Sequence, residues 1–223
     1  MKKSYVGFAA AAALAASTIA CGSQEGHVIE SFFRATLAKD SQTVSSFAVV
    51  QFDEPLKSWK VKSIGEEQRV PTPLGDLAAA HNAAEEAAAQ NKRDQGAYFN
   101  AHPLEVDTVK SMVENGAAVP AKLQETAAAW KKFMDADNEL KGKVSETQGA
   151  YDREKRLVTM STGKGPDADS LVGDLVTKTA IVEVDTGVEV KTYAIQLRKY
   201  DVAPTGQATK VMSRWLIQSI TPQ

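Results

Sequence analysis

The chain has 223 residues, of which 43% are hydrophobic and 24% charged, and its formal net charge is −2 at pH 7. This length is sufficient for a sizeable hydrophobic core. A small negative net charge argues against nucleic acid as a partner, because proteins that bind nucleic acid present a basic surface. Cys21 is the single cysteine, so no disulfide can form within the chain. No apolar run approaches the length of about 18 residues that a transmembrane helix needs.

The first 21 residues have the organisation of a bacterial secretory signal. Lys2 and Lys3 are positively charged, an alanine-rich apolar run covers residues 6–19, and small residues precede Cys21. The run is too short to span a bilayer. Residues 18–21, Thr-Ile-Ala-Cys, resemble the lipobox of bacterial lipoproteins. The resemblance implies cleavage of a signal peptide just before the cysteine and attachment of a diacylglyceryl group to its sulfur.

We therefore expect a mature chain that is anchored to a lipid bilayer through acylated Cys21, with palmitate among its acyl chains. Two or three acyl chains hold a protein stably on a membrane, whereas a protein with a single acyl chain dissociates from it readily. Gly22 and Ser23 differ from the aspartate that retains such lipoproteins at the inner membrane, which implies the periplasmic face of the outer membrane in a cell that has one. The alternative is a secreted protein with a free Cys21. Cleavage removes Lys2 and Lys3 and takes the net charge to −4.

The first part of the mature chain, residues 27–70, is predicted to form two helices and a strand. Apolar residues recur at helical spacing over 28–37. Asp40 is predicted to be the N-cap of a second, short helix. Trp59 and Val61 alternate with lysines, which is typical of a strand with one face in water.

Residues 71–162 are predicted to be helical. Thr72 and Pro73 are expected to be the N-cap and first position of a helix over 74–101. That helix contains ten alanines and few large apolar residues, so it has high helix propensity but little to bury. A His-Pro pair then interrupts it, because the residue before a proline is disfavoured in helical geometry.

A short helix is predicted over residues 104–115. Its apolar side contains Val106 and Val109, followed by either Met112 or Val113.

The longest helix is predicted to begin near Val119 and to continue for about forty residues. Its apolar residues return every three or four positions, in a pattern close to a heptad repeat. Asp137, Gly142 and Thr147 weaken this pattern, so a helical hairpin of coiled-coil character is favoured over a strict coiled coil. The candidate interaction stripe on this helix consists of Leu123, Trp130, Met134, Leu140, Val144 and Tyr151.

The C-terminal region is predicted to be β-rich. Residues 175–184 and 188–200 are expected to form strands, joined by a three-residue turn at 185–187 that ends in glycine. The buried parity changes along the returning strand, which predicts a bulge near Lys191. The final strand is predicted over residues 211–220.

Both ends of the mature chain resemble one superfamily. Residues 27–40, His-Val-Ile-Glu-Ser-Phe-Phe-Arg-Ala-Thr-Leu-Ala-Lys-Asp, with residues 44–47, are similar to the opening helices of the nuclear-transport-factor-2-like superfamily, especially its small bacterial lipoproteins. Residues 193–200 and 213–220 resemble its final antiparallel strand pair. The resemblance implies a cone-shaped α+β fold that is often dimeric and often has an apolar pocket. The helical region departs from this pattern, since it would replace a much shorter third helix.

The predicted fold class is α+β, with a curved antiparallel sheet packed on N-terminal helices and an inserted long helical hairpin. The domain boundaries come from these patterns. They are a signal peptide at 1–20, a lipidated tether at 21–26, a discontinuous α+β domain formed by 27–70 and 163–223, and a helical insertion at 71–162.

The sequence favours a protein without catalytic activity. An enzyme of this fold needs a titratable group that faces the pocket. His27 lies beside the tether, and the other two histidines lie in the helical insertion. The carboxylates of Asp53, Glu66 and Glu183 remain available, but no spacing marks two of them as a catalytic pair. No cofactor and no metal site are expected, because cysteines and histidines do not cluster.

Two hypotheses about function remain open. In the first, the protein is an envelope lipoprotein whose helical insertion contacts another envelope protein or a second copy of itself. In the second, the α+β domain binds a small molecule, with or without weak enzymatic activity, in a pocket lined by Phe32, Phe33, Trp59 and Trp215. Under either hypothesis the insertion could instead be structural cover for the sheet.

Overall fold

The computed structural model describes residues 22–163 and 170–223. The signal peptide at 1–20 and the predicted lipidation site Cys21 lie outside the described residues. The described chain is α+β and divides into two compact units.

Unit 1 consists of the described residues up to Arg69, together with Val176–Lys199 and Trp215–Gln223. Unit 2 consists of Val70–Leu175 and Tyr200–Arg214. The predicted helical insertion lies in unit 2. Two segments of the predicted β-rich region, residues up to Leu175 and Tyr200–Arg214, also belong to unit 2.

Two N-terminal helices begin unit 1. Helix α1 spans Gln24–Leu37 and helix α2 spans Ser41–Phe47. Helix α1 starts inside the predicted tether because the Ser23 hydroxyl caps it, accepting a hydrogen bond at 3.1 Å from the backbone N–H three residues on. Asp40 caps α2 as predicted, since its carboxylate accepts a hydrogen bond from Thr43 N at 3.0 Å.

Five strands form an antiparallel sheet in the order β1-β3-β4-β5, with β2 paired to β3 off this path. The strand bounds are β1 Ser58–Ile64, β2 Gln68–Pro71, β3 Leu171–Asp185, β4 Val190–Pro204 and β5 Leu216–Pro222. Residues 186–189 join β3 to β4, so the connection is one residue longer than the predicted turn at 185–187; Gly187 supplies its positive φ of 85°. The short β2 was not predicted, because its four residues are all exposed and have no alternating pattern.

The predicted bulge near Lys191 is not needed to explain the change of parity in β4. Val188 lies in the turn with 93% of its surface exposed, and Val190, the first residue of the strand, is 65% exposed. Neither valine belongs to the buried face, which begins at Tyr193. The β4–β5 pair is irregular further along, between Gln196 and Leu197.

The core of unit 1 joins α1 and α2 to the sheet. Val182 and Val184 on β3 lie opposite Val61 and Trp59 on β1, and all four point into this core. The fully buried core residues include Ile29, Phe32 and Phe33 from α1 and Val176, Ala180, Ile195, Leu197 and Ile217 from the strands. Helical residues at spacings of three and four, and strand residues at spacing two, therefore meet in one cluster.

Unit 2 is built around three helices. Helix α3 spans Leu74–Ala101, α4 spans Pro103–Glu114, and α5 spans Gln124–Thr162 after a 3₁₀ turn at Ala121–Leu123. Helices α3 and α5 pack together. Helix α5 runs for 39 residues, close to the predicted length of about forty, and it is unbroken at Asp137, Gly142 and Thr147, where its apolar pattern is weak.

Thr72 is not the N-cap of α3, contrary to the prediction. The N-cap position is occupied by Pro73, which has no side-chain acceptor. Thr72 instead continues the pairing of β2, and its backbone N–H donates to Gly173 O at 2.9 Å. This hydrogen bond holds Thr72 in the sheet.

A second hydrophobic cluster lies in unit 2. Leu74 from α3 and Val158 from α5 pack with Leu171, Tyr200 and Val202 from the strands. Polar groups in this cluster are satisfied: the Tyr200 hydroxyl donates to the buried Glu154 carboxylate at 2.6 Å.

Substitution of Gly173 by alanine should destabilise the protein. Gly173 has a φ of 145°, and an added Cβ would collide with the Asp201 carbonyl oxygen and lie 2.9 Å from Val202 Cα. Because these are backbone atoms of the neighbouring strand, we expect a loss of about 2 kcal/mol or more in the free energy of unfolding, measured with urea. Gly96 in α3 is the matched control, since open space surrounds it. Gly96→Ala should stabilise by about 0.5–1 kcal/mol. Equal effects of the two substitutions would contradict this packing.

Candidate functional site

The four residues predicted to line a ligand pocket lie in the core of unit 1. Phe32 and Phe33 are fully buried, Trp215 is 2% exposed, and Trp59 is half-buried at the edge of the same cluster. Phe33 stacks on Trp59 with 5.5 Å between ring centroids, and meets Phe32 edge-on at 5.2 Å. Their role in ligand binding stays a prediction; in this structure they contact one another and the surrounding core side chains.

A small pocket of about 230 Å³ lies beside this core, between α1, α2 and residues 51–53. Its walls include Val44 and Phe52 and the carboxylates of Asp40 and Asp53. Asp40 is already engaged, because hydrogen bonds from the Thr43 hydroxyl and backbone N–H lower its pKa. The volume lies below the range of about 300–1,000 Å³ that is usual for small-molecule sites.

Glu25 and Lys178 form an ion pair in unit 1, with 2.6 Å between Glu25 Oε1 and Lys178 Nζ. Burial acts to raise the pKa of Glu25, but the hydrogen bond and positive charge of Lys178 outweigh it and hold the pKa below its ordinary value of 4.5. The Lys178 ammonium also lies 5.4 Å from the centroid of the Trp215 ring. The pair therefore ties α1 to β3 and has the character of a structural contact.

A second polar group consists of Glu54, Lys191 and Tyr193. The 2.7 Å hydrogen bond between Lys191 and Glu54 lowers the pKa of Glu54 and raises that of Lys191. Burial, with a smaller contribution from the negative charge of Glu54, raises the pKa of Tyr193 to about 12. The Tyr193 hydroxyl is buried, and the neighbouring Glu54 carboxylate is the second cause of this shift. A phenol with this pKa stays protonated near neutral pH and cannot act there as a base.

The other candidate carboxylates do not come together. Asp53 lines the small pocket, Glu66 is exposed after β1, and Glu183 pairs with Lys62 at 3.0 Å. Within residues 22–163 and 170–223, no three His, Cys, Asp or Glu side chains are grouped so that they could hold a metal ion.

The predicted interaction stripe on α5 lies largely against its neighbours in unit 2. Leu123 is buried, and Tyr151 stacks on the ring of the buried His81 in α3 with 6.4 Å between centroids. Leu140 and Val144 are half-buried. Trp130 is half-buried with its ring 6.4 Å from that of Phe99, whereas Met134 is 40% exposed.

Trp130 and Met134 line an open groove of about 600 Å³ between α4 and α5, which we call the α4–α5 groove. Its apolar walls are formed by Val109 and Val113 of α4 and by Ala127, Ala128, Trp130 and Met134 of α5. Val109 is buried at the base, but Val113 is 64% exposed. This volume is within the range that is usual for small-molecule sites.

Charged residues border the groove on both helices. Lys110 and Glu114 lie on α4, and Lys131 and Asp135 form an ion pair on α5. The Lys110 ammonium lies over the Trp130 ring, 5.8 Å from its centroid, and 5.9 Å from that of Phe99. This cation–π contact links α4 to α5 and fixes the position of one rim.

The sequence did not identify the α4 side of this groove. The sequence contains the signal, because Val109 lies on the predicted apolar side of the short helix together with either Met112 or Val113. The structure resolves that ambiguity: Met112 is half-buried, whereas Val113 is exposed at the wall of the groove.

Substitution of Glu25 by glutamine should destabilise unit 1 in a pH-dependent way. A carboxylate whose folded-state pKa is lowered stabilises the fold above its ordinary pKa and loses this effect as the pH falls through the lowered value. We therefore expect Glu25→Gln to be less stable than the wild type at pH about 7, with the difference shrinking below pH about 4.5. Urea unfolding across this range measures the difference.

Glu30→Gln is the control for this prediction. Glu30 is on the same helix and pairs with Arg34, but both side chains are exposed, so little stability should be lost. A constant difference between Glu25→Gln and the wild type at every pH would contradict the prediction.

Comparisons of the chain with models of protein families, with curated proteins and with solved structures found no match. Membrane-spanning helices were sought among the described residues, and no helix there has the length and apolar character to cross a bilayer.

Proposed function

We propose that this protein is a bacterial envelope lipoprotein that acts as a non-catalytic interaction protein through its helical region. The observation that supports this proposal best is the α4–α5 groove, whose apolar walls are open to solvent and bordered by charges. Surfaces with an apolar centre and a polar rim are characteristic of protein–protein contacts. In this proposal the helical region departs from the nuclear-transport-factor-2-like pattern because it provides the contact surface.

The groove contains side chains that commonly contribute to binding. Aromatic residues and methionine are enriched at the centres of interfaces, and Trp130 and Met134 lie in its wall. Trp130 is held by Phe99 and Lys110, so it would lose little conformational entropy on binding.

Small-molecule binding by the α+β domain has weaker support. The aromatic residues predicted to line its pocket pack together in the core of unit 1, and the adjoining pocket of about 230 Å³ has its Asp40 carboxylate engaged in a helix cap. Catalysis is not part of the proposal, since Glu25, Glu54 and Glu183 each pair with a lysine.

Localisation is inferred from the sequence of the N-terminus. In this proposal Cys21 is acylated and holds the chain on a membrane, on the periplasmic face of the outer membrane in a cell that has one. Buried acyl methylenes each contribute about 0.8 kcal/mol, so two or three chains give stable attachment.

Replacement of Cys21 by serine should release the protein from the membrane. The hydroxyl of serine does not accept the diacylglyceryl group, so no acyl chain would be present to bury. We expect the wild type to incorporate radiolabelled palmitate and to sediment with membranes, and Cys21→Ser to do neither. Retention of Cys21→Ser in washed membranes would contradict lipid anchoring.

Lysine crosslinking in the native envelope, followed by mass spectrometry, tests the interaction function. We expect crosslinks from Lys131 to another protein chain, and we expect a double substitution, Val113→Glu with Met134→Glu, to reduce them about ten-fold, because charged side chains would be desolvated in the contact. Leu104→Glu is the matched control, since Leu104 is also on α4 and is 81% exposed, but lies outside the groove lining. If groove and control variants gave the same crosslinks as the wild type, the groove would not be an interaction site.

A further inference from the structure

The exposed apolar side chain of Val113 lies on the same surface as the α4–α5 groove and is suited to fill the same groove in another copy of the chain. Val113 projects from α4 with 64% of its surface exposed, directly beside an apolar space of about 600 Å³. Met134 adds a second exposed apolar side chain from the opposite wall. A projecting residue and a receiving groove on one surface are the requirements of an isologous contact, in which each copy inserts into the other.

The charges around the groove have the same self-complementary character. Each rim contains one lysine and one acidic residue four positions apart: Lys110 and Glu114 on α4, and Lys131 and Asp135 on α5. The four charges sum to zero. A partner with charges of one sign would be attracted by two of them and repelled by the other two, whereas a copy related by a two-fold axis can oppose unlike charges across the contact.

We infer that the α4–α5 groove binds a second copy of this chain in an isologous dimer, with Val113 of each copy in the groove of the other. This inference rests on the proposed interaction function and specifies its partner. The apolar walls supply the burial, and the balanced rims set the register of the two copies.

Reversal of the rim charges tests the dimer without any assumption about which residues meet. The positive-rim variant combines Glu114→Lys with Asp135→Lys, and the negative-rim variant combines Lys110→Glu with Lys131→Glu. Full chains with two different tags are co-expressed in bacteria and crosslinked before the membranes are dissolved. One tag is then captured, and the other is measured in the band of twice the monomer mass.

Each rim variant should fail to pair with itself and should pair with the other. Because like charges across an interface repel each other, we expect the self-paired band of each variant to fall about ten-fold or more, and the mixed pair to recover to within about two-fold of the wild type. Recovery in the mixture also shows that both variants are folded. The control is Lys92→Glu with Arg93→Glu, which changes the net charge as the negative-rim variant does, at exposed positions of α3 outside the groove lining. It should pair with itself as the wild type does.

Three results would overturn the inference: wild-type copies that do not crosslink to each other, rim variants that pair with themselves as the wild type does, or a mixture that does not recover. The native-envelope experiment separates these from failure of the proposed function. Groove-dependent crosslinks to a different protein, without the dimer band, would leave the interaction function in place and refute the dimer. Groove variants that retain every wild-type crosslink would refute both.

Discussion

The packing of α3 against α5 is the contact on which the architecture of unit 2 depends. Helix α3 has ten alanines, and its buried residues are only Leu74, His81 and Ala84. It therefore contributes a close helical surface to the contact and few large apolar side chains. His81 meets Thr147 at 3.4 Å, and Asn91 donates to the Phe133 carbonyl at 3.2 Å, so the two helices run antiparallel.

The α4–α5 groove lies near the end of this contact. Near the C-terminus of α3, Phe99 reaches Trp130, and the helix stops at Ala101 before the His-Pro pair. Helix α4, which is only 12 residues long, then lies beside the same stretch of α5 that α3 contacts: its Val109 and Val113 face residues 127–135, and Gln95 of α3 reaches Met134. Val106 and Val109 bury the inner face of α4, but the next turn leaves Val113 uncovered. The groove thus remains where the last turn of the short α4 does not close on the stretch of α5 that α3 also contacts.

Periodicity predicted the helices well but could not predict the groove. Asp40 as a cap and the length of α5 can be predicted from local signals, namely a side-chain acceptor and a repeat of three to four residues. Thr72 failed as a cap because its backbone pairs with Gly173, about one hundred residues away in sequence, which no local pattern records. Met112 and Val113 come three and four residues after Val109, so both satisfy the helical repeat equally. Only the position of α5 decides which of them is buried.

Anchoring of the chain to a membrane would lower the affinity that the groove contact needs for two copies to pair. If Cys21 holds each copy on one membrane, encounter is confined to a surface, and the effective concentration of each copy for the other rises without any new contact. A modest apolar area around Val113 and Met134 is then sufficient for pairing. Under such conditions the rims matter more for specificity than for strength, because the Lys131–Asp135 pair is exposed and an exposed pair contributes about 0–1 kcal/mol. Rims with both signs of charge weaken binding to any partner whose charges are not aligned with opposite charges on the rims. A weak contact needs this specificity when many other proteins are present at the same membrane surface.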